Sequence, residues 1–220
     1  MKALRLLAIT CIVLLGFTSF SQKPLVINLH KAMKNKELII VNREVTPITE
    51  ENHKGIKLSK AYGEGIAWLN NIEFSNGTIE FDVRGEDVKQ HSFVGIAFHG
   101  KNDSTYDAVY LRPFQFKAAD EVSQKKMLQY ISLPEFTWRK LREQYPGKYE
   151  NSIAPAPNPN AWVKVKIVLN ETTVSTYING NKEPSMVVEK VTSAKTGWIG
   201  FYVADTSGGD FANIKITKTD

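Results

Sequence analysis

Strict alternation of apolar and polar residues constrains this chain more than any other feature. Val163, Val165, Ile167 and Leu169 alternate with Trp162, Lys164, Lys166 and Val168. Ile79, Phe81 and Val83 alternate with Glu80, Asp82 and Arg84, and Ile214 and Ile216 with Lys215 and Thr217. Successive side chains of a strand point to opposite faces, so a period of two makes one face apolar and the other wet. Antiparallel sheets have that character. Further strands are expected at 37–41, 55–59, 65–69, 92–99, 108–113, 127–132, 173–178, 186–189 and 197–203. Asn76-Gly77 and Asn179-Gly180-Asn181 read as hairpin turns, and Ser207-Gly208-Gly209 as a flexible turn before the last strand. Many short strands with regular turns predict an all-β antiparallel sandwich rather than a parallel sheet.

One segment breaks the alternation. Residues 135–145 (EFTWRKLREQY) follow Pro134 and place Phe136, Leu141 and Tyr145 against Arg139, Lys140 and Arg142. That spacing predicts one short helical insertion. The following Ala154-Pro155-Ala156-Pro157-Asn158-Pro159 forms neither strand nor helix and reads as a surface loop.

At the N-terminus, Lys2 and Arg5 precede an apolar run from Leu6 to Phe17, and Ser19 and Ser21 follow. A basic start, a short apolar core and small residues at alternate positions predict a signal peptide over residues 1–21. The protein is then expected to be secreted or periplasmic, with Gln22 first. The run is too short for a comfortable membrane span, which needs about 20 apolar residues. Cys11 is the one cysteine and lies in this segment, so the mature chain has no disulfide and no thiolate nucleophile. Residues 22–36 read as an N-terminal arm and 37–220 as one domain. The formal charge of +5 drops by two when Lys2 and Arg5 are removed. No dense basic run with interleaved aromatics remains, so nucleic acid is not an expected partner.

Three regions carry a family resemblance. Ala161-Trp162-Val163-Lys164-Val165-Lys166-Ile167-Val168, followed by Thr173-Val174-Ser175-Thr176-Tyr177-Ile178-Asn179-Gly180, resembles a hairpin of laminin-G and concanavalin A-like domains. Gly197-Trp198-Ile199-Gly200-Phe201-Tyr202 and Gly209-Asp210-Phe211-Ala212-Asn213-Ile214 resemble the closing strands of that superfamily. The middle part, Tyr106-Asp107-Ala108-Val109-Tyr110-Leu111-Arg112-Pro113-Phe114 with Gln129-Tyr130, is similar to secreted family-16-like domains labelled 3-keto-disaccharide hydrolase. The resemblance implies a concanavalin A-like jelly roll. It implies carbohydrate handling, as a glycoside hydrolase-like enzyme or as a binding module for poly- or oligosaccharide. A non-catalytic laminin-G-like module that binds protein is the alternative. The fold by itself does not choose.

Four groups of residues could carry chemistry. Glu80, Asp82 and Glu86 resemble the paired carboxylates of retaining glycosidases. Gly85 interrupts their spacing, however, and the simpler reading is a solvated strand face. The middle cluster is Tyr110, Arg112, Gln129, Tyr130, Trp138, Arg139, Arg142 and Glu143. It offers the aromatic platforms and planar donors that sugars require, and is the expected substrate-binding site. The competing reading is a scaffold that pins the insertion to the sheet. Glu135, Glu143 and Glu150 are the expected acid/base candidates. The four histidines show no metal-ligand spacing. No cofactor is expected beyond a possible structural Ca2+ at Asp210, in the oxygen-rich turn with Asp205 and Ser207.

Overall fold

The computed structural model describes residues 23–219, so the expected signal peptide at 1–21 lies outside the described residues. In chain order the first strands are β1 (Leu25–Val26), β2 (Leu38–Val41), β3 (Val45–Glu50), β4 (His53–Leu58) and β5 (Gly65–Phe74). Then come β6 (Asn76–Arg84), β7 (Val94–Asn102), β8 (Thr105–Leu111), β9 (Leu128–Leu133) and β10 (Glu150–Asn151). The last five are β11 (Val163–Leu169), β12 (Thr173–Ile178), β13 (Met186–Glu189), β14 (Gly197–Val203) and β15 (Gly209–Thr219). Three short α-helices join them: α1 (Leu29–Lys34), α2 (Glu121–Gln124) and α3 (Trp138–Gln144).

The strands form two antiparallel sheets. The eight-stranded sheet has the order β13-β12-β11-β6-β15-β4-β3, with β1 paired to β15. The seven-stranded sheet has the order β10-β9-β8-β7-β14-β5-β2. The alternating residues do what their period demands. Val163, Val165, Ile167 and Leu169 are buried while Lys164 and Lys166 are exposed. Phe201 of one sheet meets Phe211 of the other at 4.8 Å between ring centroids, and Phe81 at 6.5 Å. This aromatic contact lies in the core between the sheets. The antiparallel sandwich with a short helical insertion is therefore what the sequence implied.

One hairpin expectation changes. Asn76-Gly77 is not a hairpin, because β5 and β6 belong to different sheets. Gly77, at φ +127°, starts the strand that carries the chain across. A Cβ there would stand 2.0 Å from the Thr217 carbonyl oxygen, so the close approach requires glycine. Asn179-Gly180 does begin the β12–β13 hairpin connection. The segment expected as an arm contains β1 and α1. Asn28 caps α1 by accepting from the Lys31 backbone N–H, and Leu29 and Ala32 bury its apolar side.

In the insertion, α3 is capped by Thr137 and buries Leu141. Glu135 lies before the helix, in a turn closed by reciprocal Ser132–Phe136 backbone hydrogen bonds. No helix among the described residues is long and apolar enough to cross a membrane.

Candidate functional site

The site grows from one row of residues across the seven-stranded sheet. Tyr202 pairs with Gly95, Gly95 with Tyr110, Tyr110 with Gln129, and Gln129 with Glu150. Paired residues share a face, so the whole row points the same way. It points away from the core, because the neighbouring Phe201 points inward. Gly95 has no side chain, and a Cβ there would stand 2.8 Å from that of Tyr110. The gap lets Tyr110 and Tyr202 approach to 5.7 Å between ring centroids across the intervening strand. Tyr106 joins them, 5.9 Å from Tyr202. Tyr110 and Tyr202 floor a cleft of about 570 Å3, walled by α3 on one side and by the loops before β5 and after β14 on the other.

At the α3 end, Arg112 lies two residues beyond Tyr110 on the same face. Its Nη2 donates to the Tyr110 hydroxyl at 3.1 Å and to Gln129 Oε1 at 3.0 Å. Its Nη1 donates to the Lys126 carbonyl at 2.9 Å. Gln129 in turn donates to the Tyr130 and Tyr149 carbonyls. Glu150 is buried and accepts from Arg142 Nε at 3.0 Å and Nη2 at 2.6 Å. The guanidinium of Arg142 also lies 4.9 Å from the ring centre of Trp138, whose indole is 40% exposed at the cleft wall. Tyr110 accepts from Arg112 and has no acceptor for its own proton among the described residues. Burial pushes its pKa above the ordinary tyrosine value, with Arg112 opposing. It is therefore a neutral donor aimed at the cleft.

The opposite end contains a residue that the sequence reading missed, Glu64. It ends the loop before β5 and lies two residues before Ile66, which pairs with Tyr202. The loop is held on several sides. Asn42 Nδ2 donates to the Tyr62 and Glu64 carbonyls at 2.7 and 2.9 Å. Arg43 donates to the Gly63 and Ser207 carbonyls, and Asp205 accepts from the Gly63 N–H at 3.0 Å. Gly63, at φ +77°, makes the turn.

Glu64 is exposed as a whole residue and lines the cleft. Loss of water raises the carboxyl pKa above the ordinary value. The Tyr202 hydroxyl and the charge of Arg43 oppose that rise. Burial likewise pushes Tyr202 well above the ordinary tyrosine value, so it stays a donor. A carboxylate with a raised pKa and a polarised tyrosine, facing one cleft, can move a proton and steady a developing oxyanion.

The remaining expected residues fall as follows. Tyr110, Arg112, Gln129 and Arg142 join one network with Glu150. Trp138 lines the cleft, and Arg139 is exposed with its guanidinium 5.3 Å from the Trp138 ring centre. Tyr130 pairs with Val109, and so takes the core face rather than the cleft. Glu135 is exposed and paired with Lys140 at 3.1 Å. Glu143 is exposed on the solvent side of α3. Neither lines the cleft. Glu150 is enclosed behind Arg142 and does not line it either. Asp210 is held by Arg84 at 2.7 Å. Among the described residues no group of three His, Cys, Asp or Glu side chains could hold a metal ion. Glu80 pairs with Lys215, and Asp82 with His53 and Asn213. These lie on the other sheet, away from the cleft.

A family model described as a 3-keto-alpha-glucoside-1,2-lyase-like domain matches residues 34–217. The chain belongs to this family. No curated protein sequence matches it significantly. Among solved structures, this lyase-like domain is similar to the carbohydrate-binding module CBM66 from Bacillus subtilis. The TM-score is 0.60 at 12% identity, covering 82% of this chain and 95% of that one. A B. subtilis protein described as having a galectin-like fold also gives 0.60 at 13% identity, covering 92% and 99%. A putative glycosyl hydrolase from Parabacteroides distasonis gives 0.51 at 14% identity, covering 84% and 89%. At these identities the likeness establishes the fold. The chain is thus a two-sheet antiparallel sandwich of the 3-keto-alpha-glucoside-1,2-lyase-like family.

Proposed function

We propose that the protein cleaves 3-keto-glucosides by elimination across C1 and C2, with Glu64 as the base. The observation that carries this reading is that Glu64 lines the same cleft as the hydrogen-bonded Arg112–Tyr110 pair. A ketone at C3 acidifies the hydrogen on C2. Glu64 takes that proton, and the electron pair moves onto the C3 oxygen, where the Tyr110 hydroxyl, polarised by Arg112, receives it. The enolate then forms the C1=C2 double bond and expels the glycosidic oxygen from C1. That oxygen takes a proton, which Glu64 can return. One C–H bond and one C–O bond break, one C=C and one O–H bond form, and neither water nor a redox partner is consumed.

A carboxylate whose pKa lies nearer the working pH is a better proton acceptor than an ordinary one. Trp138 offers a flat apolar face for a sugar ring at the other wall. Export through the N-terminal segment, with its basic start and short apolar run, belongs to the same reading. N-terminal sequencing of protein from the culture medium or periplasm should begin at Gln22.

The test is incubation of the protein with methyl 3-keto-α-glucoside in D2O, followed by NMR. Elimination releases methanol and gives an unsaturated ketone bearing the C1=C2 bond. Hydrolysis would give the free 3-keto sugar with its C2 hydrogen intact and would refute the elimination. Binding without turnover would leave a glycan-binding module.

A further inference from the structure

The cleft is electrically divided. One end holds Glu64 and Asp205, backed by the buried Arg43. The other holds Arg112, Arg142 and Lys126, backed by the buried Glu150. Three positive charges against one negative leave that end with an excess of two.

The excess is not absorbed by the fold. Glu150 lies 2.6 Å from Arg142 and 3.8 Å from Arg112, so two arginines share one carboxylate. Arg142 commits Nε and Nη2 to Glu150, and its Nη1 has no partner among the described residues. Arg112 is engaged with Tyr110, Gln129 and the Lys126 carbonyl. That hydrogen bond fixes the Lys126 backbone beside the cleft. No carboxylate among the described residues forms an ion pair with the Lys126 ammonium. Asp120, the acid that feels its charge, instead caps α2 by accepting from the Ser123 N–H at 2.8 Å. The elimination needs one cationic partner for its enolate, which Arg112 supplies through Tyr110. Lys126 and the free edge of Arg142 remain without a chemical task.

A cleft wall of one sign, backed by low-dielectric protein, concentrates ligands of the opposite sign. A charge-assisted hydrogen bond to a planar guanidinium is the usual protein answer to a carboxylate or sulfate group. We propose that the cleft takes an acidic glycan, with the anionic group of one sugar unit held between Lys126 and Arg142 beside the Trp138 ring. This rests on the cleft being the glycan site of the proposed function, but not on the elimination. The anion is the carboxylate of a uronic acid or a sulfate ester, and the two are told apart by the ligands used.

The test is calorimetric titration of the whole protein with methyl α-glucoside, methyl α-glucuronide and the 6-sulfate of methyl α-glucoside. Each is measured at about 20 mM and about 500 mM salt, where screening lengths differ several-fold. The expected result is that one or both anionic ligands bind at least about tenfold more tightly than the neutral one, and lose that advantage at high salt. Lys126→Gln should remove most of the advantage while leaving methyl α-glucoside binding unchanged. Lys126→Glu should reverse the preference. Lys126 sits at the surface end of a turn, so both variants should fold, and unchanged melting temperatures would verify this. Equal binding of neutral and anionic ligands would overturn the inference and leave the elimination standing. So would an equal loss for both ligands in Lys126→Gln. Binding of none of the three would overturn the inference, while methanol release from methyl 3-keto-α-glucoside decides the elimination separately.

Discussion

Asp205 accepts a hydrogen bond from the backbone N–H of Gly63 at 3.0 Å, tying the turn after β14 to the residue before Glu64. Asn42 and Arg43 hold the same loop from the other side through its carbonyls. A functional carboxylate on a loop is useful only if its geometry is fixed beforehand, and these contacts fix it.

Loosening this clamp should cost rate more than binding. Asn42→Ala is expected to lower kcat on a 3-keto-glucoside by about tenfold to a hundredfold, with KM changed by less than about threefold. The melting temperature should fall by only a few degrees. Steady-state kinetics beside a thermal melt would check this. A proportional rise in KM with kcat intact would place Asn42 in binding instead.

The pH dependence follows from the direction of the Glu64 shift. The base must be ionised, so kcat/KM rises as pH passes upward through its pKa. That rise should be centred above about 4.3, the ordinary glutamate value. The Tyr202 hydroxyl lowers the Glu64 pKa. Tyr202→Phe should therefore move the rise to still higher pH. A shift downward would contradict the arrangement.

The same shift carries a stability consequence. A carboxyl whose pKa is raised by folding destabilises the folded state once ionised, so the cost is absent at low pH and fully present above the folded pKa. Glu64→Gln should therefore melt higher than the wild type at pH 8. The difference should vanish as the pH falls below the ordinary carboxylate range. Paired melts across this range test it, and a variant less stable at pH 8 would argue that Glu64 is structural.

Glu150 should behave in the opposite way. Replacing it with Gln leaves two arginine side chains sharing a neutral amide, one of them buried. The expected loss is about 2 kcal/mol, since removing one partner of a buried pair strands the other. In a domain of this size that is a fall of about 4–8 °C in melting temperature. An unchanged melt would show that α3 is held by Leu141 packing alone.

How far the sequence reveals this site depends on which contacts are local. Tyr110 and Arg112 are two apart on a strand, so their shared face follows from period two. Residue 142 was already visible as a basic position on a helix of the insertion. Arg142 and Glu143 differ by about 100° around α3, which turns one to the cleft and the other to solvent. Without the helix orientation that choice is invisible. Glu64 is harder still. It sits in a four-residue turn, Ala61-Tyr62-Gly63-Glu64, with no periodic signal. Its meaning comes from Tyr202 and Asp205, far along the chain, which only sheet register brings near. Asn76-Gly77 misled because a hairpin signal assumes that both flanking strands share a sheet, and here the chain changes sheets.

The most direct measurement of the central claim compares Glu64→Gln with the wild type on methyl 3-keto-α-glucoside, following methanol release at saturating substrate. The account predicts a fall in kcat of about a thousandfold, within the range that general bases supply, with the folded state intact by circular dichroism. Turnover within a few-fold of the wild type would contradict it and remove Glu64 as the base.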